Sequence, residues 1–269
     1  MLAGYLDALR EARGRRLLPV LLGCALVFAL FSNGIVHLGS TPSGDRTIVL
    51  GTRALGSPEE GVPELLAAVI GEAGWIWLLL SILCAVPILA STLERGWLEL
   101  VLSKATPRWE MFLGRYLAGV TLYAIASAVS VLPLAFRLWW QTGVNFFPVV
   151  AALFFQVVSF AALLSVASLV CLAQQNIVFP MLSPLVVWLA SPLLAARRDS
   201  YYQFVSSYGG RYLLDVAYII LPKCAEINAL SAAWIRDGEL YSWWPLWSSA
   251  AFTGLLLAAT LYLLERKSF

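Results

Sequence analysis

The sequence predicts an all-α integral membrane protein: six transmembrane helices, an N-terminal interfacial amphipathic helix, both termini cytoplasmic, and short helices in the last outer segment. Three observations lead there. Of 269 residues, 60% are hydrophobic and 13% charged, with a mean hydropathy of +0.80, whereas soluble domains are about half apolar and about a quarter charged. Six stretches each come close to the roughly 20 apolar residues that a hydrocarbon core about 30 Å thick demands. None alternates apolar with polar residues as barrel strands do, and backbone groups in lipid must be bonded within their own segment, so each stretch reads as a helix. A chain this apolar cannot stay solvated as a disordered coil. Eighteen Lys and Arg against 16 Asp and Glu give a net charge of +2, which points to no nucleic-acid partner.

Residues 1–16 are too charged to insert, but Leu2, Tyr5, Leu6 and Leu9 share one helical face, with Asp7, Arg10, Glu11 and Arg13 largely elsewhere. This predicts a helix lying among the lipid headgroups. The first span, Leu17 to His37, is too long for a signal peptide and lacks a clean cleavage site, so it is read as uncleaved. The others run approximately from Trp75 to Leu93, Leu113 to Phe136, Phe147 to Leu172, Ile177 to Ala195 and Trp244 to Leu264. Between the first two lies an outer loop with the turn-rich run Gly39 to Gly44, and a short apolar helix, Pro63 to Ile70, leads into the second span. Residues 197–243 form the longest outer segment. Its apolar run Tyr212 to Leu221 is half a span long and is stopped by Pro222.

Orientation follows from the basic residues. With the N-terminus in the cytoplasm, ten of them fall on the shorter inner segments and eight on the longer outer ones, as the positive-inside rule requires. The Trp139–Trp140 and Trp243–Trp244 pairs suit an aromatic belt at the outer interface.

Enzymatic chemistry finds little to work with, and no catalytic residue is expected. The single histidine, His37, ends the first span, and no GxSxG elbow occurs. Glu59 and Glu60 are adjacent, so their side chains diverge. Cys24, Cys84, Cys171 and Cys224 have no metal-ligand or disulfide spacing, so no metal is expected. A phosphate loop needs a lysine after glycine, and Lys104, Lys223 and Lys267 follow Ser103, Pro222 and Arg266.

One stretch is more regular than the rest: the inner connection, residues 93–112, between the second and third spans. Glu94 and Arg95 mark the exit from lipid, and Gly96 permits a bend. Leu98, Leu102 and Ala105 can line one face of a short helix while Glu99 and Ser103 face water. Thr106 and Pro107 make a helix start, with Thr as N-cap and Pro at the first helical position. Physically this is either a docking element for a soluble partner or an ordinary amphipathic linker.

The pattern Glu94-Arg-Gly-x-x-Glu99-Leu-x-Leu-Ser103-Lys-x-x-Pro107-Arg-Trp-Glu-x-x-Leu-Gly114-Arg-Tyr-Leu resembles the coupling loop of bacterial ABC transporter permeases of the type-two class. These are the membrane subunits of exporters whose ATPase is a separate chain. The detailed match covers about 25 residues, and the six-span layout with an N-terminal interfacial helix resembles the family across nearly the whole chain; Trp97, where a small or β-branched residue is commoner, departs from it. The resemblance implies a bacterial cytoplasmic-membrane permease, not itself an enzyme, that docks an ABC ATPase dimer through Glu94, Arg95, Gly96, Glu99, Pro107 and Arg108. ATP and Mg would be held by that partner, and a second permease copy or a sister permease would complete the unit.

The polar groups available to a pathway are Glu72, Gln156, Ser183 and Ser191. Glu72 either faces an outer vestibule or only marks a helix end. Ala161, Ser165 and Ser168 form a small-residue stripe on the fourth span that suits close packing, within one subunit or between two. The alternative reading is a stand-alone channel, carrier or structural membrane protein, which calls for facing charges at mid-bilayer or an inverted repeat. Neither is visible.

Overall fold

The computed structural model describes residues 2–40, 46–50, 53–54, 57–91, 107–174, 177–196, 202 and 208–266. In chain order the elements are helices α1 (Leu2–Gly14) and α2 (Leu17–Ile35), strands β1 (Val36–Ser40), β2 (Arg46–Leu50) and β3 (Arg53–Ala54), then helices α3 (Pro58–Ala90), α4 (Arg108–Thr142), α5 (Phe147–Ala173), α6 (Val178–Ala195), α7 (Tyr208–Ile220), α8 (Cys224–Asp237) and α9 (Trp244–Arg266). Six of these, α2 to α6 and α9, are long and apolar enough to cross a membrane. The chain is therefore a multi-pass helical membrane protein, and its spans fall close to the expected ones.

Two helices outrun the bilayer. At 1.5 Å per residue, the 33 residues of α3 extend about 50 Å and the 35 of α4 about 52 Å, against a core of about 30 Å. The short helix expected at Pro63 to Ile70 is continuous with the second span: the helix begins earlier, with Pro58 at its first position, and carries Pro63 inside it.

The projecting ends are covered by something an all-α expectation misses. In place of an irregular first loop, β1 and β2 form an antiparallel hairpin, with Val36 opposite Leu50 and Leu38 opposite Ile48, and β3 extends the sheet. Val36 and Ile48 are buried in one cluster with Val62, Leu65, Leu134 and Leu138 of α3 and α4. The β-branched run Thr47-Ile-Val and the turn residues before it carried that signal, but a five-residue strand needs a neighbour to be legible.

Helix α1 lies on α4 by its small residues, with Tyr5 and Leu9 partly buried beside them. Gly4, Ala8 and Ala12 are buried, whereas Leu2 and Leu6 are exposed. A Cβ on Gly4 would stand 2.8 Å from the Met111 carbonyl oxygen and 2.9 Å from its Cα, so backbone meets backbone and no rotamer change can make room. Gly4→Leu should undock α1. The measurement is limited trypsin digestion, with faster cleavage after the exposed Arg10 and Arg13 than in the unaltered chain. An unchanged rate would mean that the close approach at Gly4 is dispensable. The chain leaves α1 through Arg16, the one non-glycine residue with positive φ among the described residues (62°), and enters α2 there.

Elsewhere helices end as local chemistry dictates. Gly143 after α4 and Gly238 after α8 take left-handed φ values of 76° and 70° and return their amides to Trp139 and Trp234. Helix α4 starts at Arg108 rather than Pro107, which stands at the cap with extended backbone (ψ 142°). Arg137 of α4 donates to the Asn33 carbonyl in the last turn of α2.

The small-residue stripe of the fourth span packs within this one chain. The Tyr116 hydroxyl donates to the Ala161 carbonyl at 2.6 Å, and Ser168 meets Thr260 of α9 at 3.5 Å between hydroxyl oxygens. Tyr123 stacks on Phe160 with centroids 4.4 Å apart. In lipid such contacts, rather than a hydrophobic drive, hold helices together.

Candidate functional site

Two places concentrate polar chemistry. The first is at the α1 end of the bundle, around Arg115. This guanidinium is 1% exposed, seven residues into α4. Its Nη2 donates to Asp7 Oδ2 at 2.7 Å; its Nη1 lies 2.9 Å from Glu11 Oε2 and donates to the Ile88 carbonyl at 3.0 Å and to Ser91 Oγ at 2.5 Å. Arg15 holds the other Glu11 oxygen at 2.9 Å. A planar fork with five donors suits such a junction, whereas a lysine ammonium could not serve all these directions. One side chain thus joins α1, the end of α3 and the start of α4.

Those last two helix ends bracket residues 92–106. Of the expected docking residues, Glu94, Arg95, Gly96 and Glu99 lie outside the described residues. Pro107 is exposed and Arg108 half-buried, at the foot of α4. Arg115 stands inside the quoted motif, but no local pattern assigns it a role of its own. Asp7 and Glu11, spaced i and i+4 on a helix otherwise bearing arginines, were the available signal, and only packing shows what they face.

The second place is at the sheet end, where α7 and α8 fold in beside the spans. Helix α7 stops just before Pro222, as expected, and the chain turns back into α8. The turn is anchored to α9. The Lys223 amide donates to Ser249 Oγ at 3.0 Å and its ammonium to Ser248 Oγ at 3.1 Å, while the Tyr218 ring centroid lies 4.5 Å from Nζ. At its far end, α8 meets the start of α3 through Arg236 and Glu64, 2.7 Å apart. Both side chains are about half exposed, so this pair adds little stability.

Between α3, α5, α6 and α8 lies a cavity of about 290 Å³. Gln156 lines it, donating from Nε2 to Asn228 Oδ1 at 2.8 Å. Ser191 is buried beside it and accepts the Ala225 amide at 2.9 Å. Cys224 contributes a thiol that burial pushes up to about 11, the bond from Ser159 pulling the other way. It is thus neutral at physiological pH. The other two expected pathway groups are not brought here. Glu72 is exposed on α3, and Ser183 turns back to the Pro180 carbonyl on α6. Asn228 escaped the sequence reading because a polar residue on a short amphipathic helix has no distinguishing pattern. All four cysteines are free thiols. Among the described residues no cluster of His, Cys, Asp or Glu could hold a metal.

No model of a known protein family matches this chain, and no curated protein sequence does either.

Proposed function

We propose that the chain is the permease subunit of an ATP-driven exporter of the type-two ABC class. It would sit in a bacterial cytoplasmic membrane with both termini inside, and two permeases would work with a separate ATPase dimer. The observation that carries this reading is the junction at Arg115. A loop that receives motion from a soluble motor needs a stiff base, since a compliant one would absorb the displacement. Arg115 ties together the two helix ends that bracket residues 92–106 and the N-terminal helix that lies across them. The sequence pattern of that segment and the six spans support the same reading. In this scheme Glu94, Arg95, Gly96, Glu99, Pro107 and Arg108 meet the ATPase, and ATP and Mg reside on the partner.

The test is purification of the tagged chain in mild detergent with identification of co-purifying proteins. A phosphate-loop ATPase near stoichiometry is the expected result. Its repeated absence from a stable, monodisperse preparation would favour a self-sufficient channel or carrier. In reconstituted complexes Glu99→Arg should abolish the coupling of ATP hydrolysis to transport without unfolding the permease, and unchanged stimulation of hydrolysis would remove the docking role.

A further inference from the structure

The cavity at the sheet end presents one hydrogen-bond donor and one acceptor that nothing among the described residues uses. Gln156 and Asn228 spend one donor and one acceptor on each other at 2.8 Å, and Ser231 takes a second, longer contact from Gln156 Nε2 at 3.5 Å. Left over are Gln156 Oε1 and Asn228 Nδ2. Rotating both amides by half a turn would exchange the roles but again leave one donor and one acceptor, so the conclusion does not depend on which atom is nitrogen.

Both leftover atoms face glycines of α3. A Cβ built on Gly74 would lie 3.9 Å from Gln156 Oε1, and one on Gly71 would lie 3.9 Å from Asn228 Nδ2. Neither position meets anything nearer. Two glycines one turn apart therefore leave space immediately in front of the amide edge, where larger residues would fill it.

The rest of the lining limits what can enter. No lining residue is charged, so an ionised guest would lose its hydration without a counter-charge. Trp75 and Trp188 supply aromatic surface. At the rim, Trp75 is 42% and Leu189 59% exposed on the outer surface of the bundle. Helices α6 and α9, at about 27 Å and about 35 Å, bracket the roughly 30 Å of the hydrocarbon core, so their ends fall near its edges. Because Pro192 lies within a turn of the end of α6, the site sits near the membrane boundary, where a polar head and an apolar tail are both accommodated.

We propose that this cavity binds the uncharged carboxamide head of an amphiphile whose tail leaves between Trp75 and Leu189. A carboxamide presents a carbonyl acceptor and an N–H donor side by side, complementary to Asn228 Nδ2 and Gln156 Oε1. A carboxylate offers no donor, and a tertiary amide offers none either. This site goes beyond the permease reading and is tested without ATP.

The experiment uses the full chain in phosphatidylcholine nanodiscs and a dodecanamide bearing a diazirine on the first few carbons of its chain, next to the amide. Labelling should map to α3 and α6 around Trp75 and Leu189. Unlabelled dodecanamide should compete at least about tenfold better than N,N-dimethyldodecanamide or dodecanoate, since a site built around hydrogen bonds rejects analogues that lack them. Asn228→Leu and Gln156→Leu should each abolish that discrimination. Gly74→Leu, which fills the cavity and leaves both amides in place, should cut labelling about tenfold, so the test holds even if an amide variant fails to fold. Equal competition by the dimethyl amide, or labelling spread over all lipid-facing helices and indifferent to Gly74→Leu, would overturn the site. Neither result touches the ATPase partnership, which is read by co-purification.

Discussion

Replacing Asp7 with Asn and Glu11 with Gln together will destabilise the chain by about 3–5 kcal/mol, the usual cost of stripping a buried charge of its partners. The effect will exceed that of Arg115→Met. The asymmetry follows from exposure: the Arg115 side chain is 1% exposed, while those of Asp7 and Glu11 are 50% and 18% exposed. Without the carboxylates the guanidinium loses both anions that α1 brings to it and keeps, among the described residues, the neutral acceptors Ile88 carbonyl and Ser91. Without the guanidinium the two carboxylates can turn to water, Glu11 keeping Arg15 at 2.9 Å. Arg115→Met should therefore cost only about 1–2 kcal/mol, the range of lost hydrogen bonds. Thermal unfolding midpoints of the purified variants measure the order. If Arg115→Met proves the more damaging, the junction works by side-chain packing rather than by charge compensation.

The second large effect is expected at Gly119, where three spans converge. A Cβ there would stand 3.0 Å from Ala85 Cβ on α3 and 3.0 Å from Leu164 Cδ2 on α5. The leucine tip can swing aside, but the alanine carbon is fixed to its backbone. Gly119→Leu should force α3 from α4 and cost about 3 kcal/mol, at the upper end for overpacked cores. Gly119→Ala should cost less and be largely restored by Ala85→Gly, which returns the missing space. Gly254→Leu is the control, since a Cβ on Gly254 meets nothing within 4 Å. Heat-induced loss of the monodisperse species in gel filtration reads all four. Equal midpoints for Gly119→Leu and Gly254→Leu would show that the three helices are not packed this closely.

The junction and the cavity differ in how far the sequence announced them. At the junction, the segment carrying Glu94 and Glu99 stood out by its composition and regularity, since charges between two spans favour water. Its base did not, because Arg115 in an apolar run looks like any helix-end arginine until Asp7, more than a hundred residues earlier, is found against it. At the cavity, Gln156 and Ser191 were noticeable as polar groups in spans. Glu72 and Ser183 were equally noticeable and point elsewhere, because polarity in a span says nothing of the face it occupies. Lys223 was noticeable only as a lysine with no glycine before it, yet Ser248 and Ser249 fix it at the turn that sets where α8 enters.

By itself the sequence determined the six spans to within a few residues at most ends. In lipid, length and apolar composition decide helix formation locally, because each segment must bond its own backbone. It also determined that α7 ends before Pro222, since proline cannot continue a helix. Only the tertiary structure decided the sheet, the face by which α1 docks, the partners of Arg115 and the amide edge between Gln156 and Asn228. The hairpin pairs locally, but its seat on α3 and α4 and each of the others depend on which residues meet across long separations in the chain. A five-residue strand or a single buried amide is stable only once its partner is in place, and no local pattern encodes that partner.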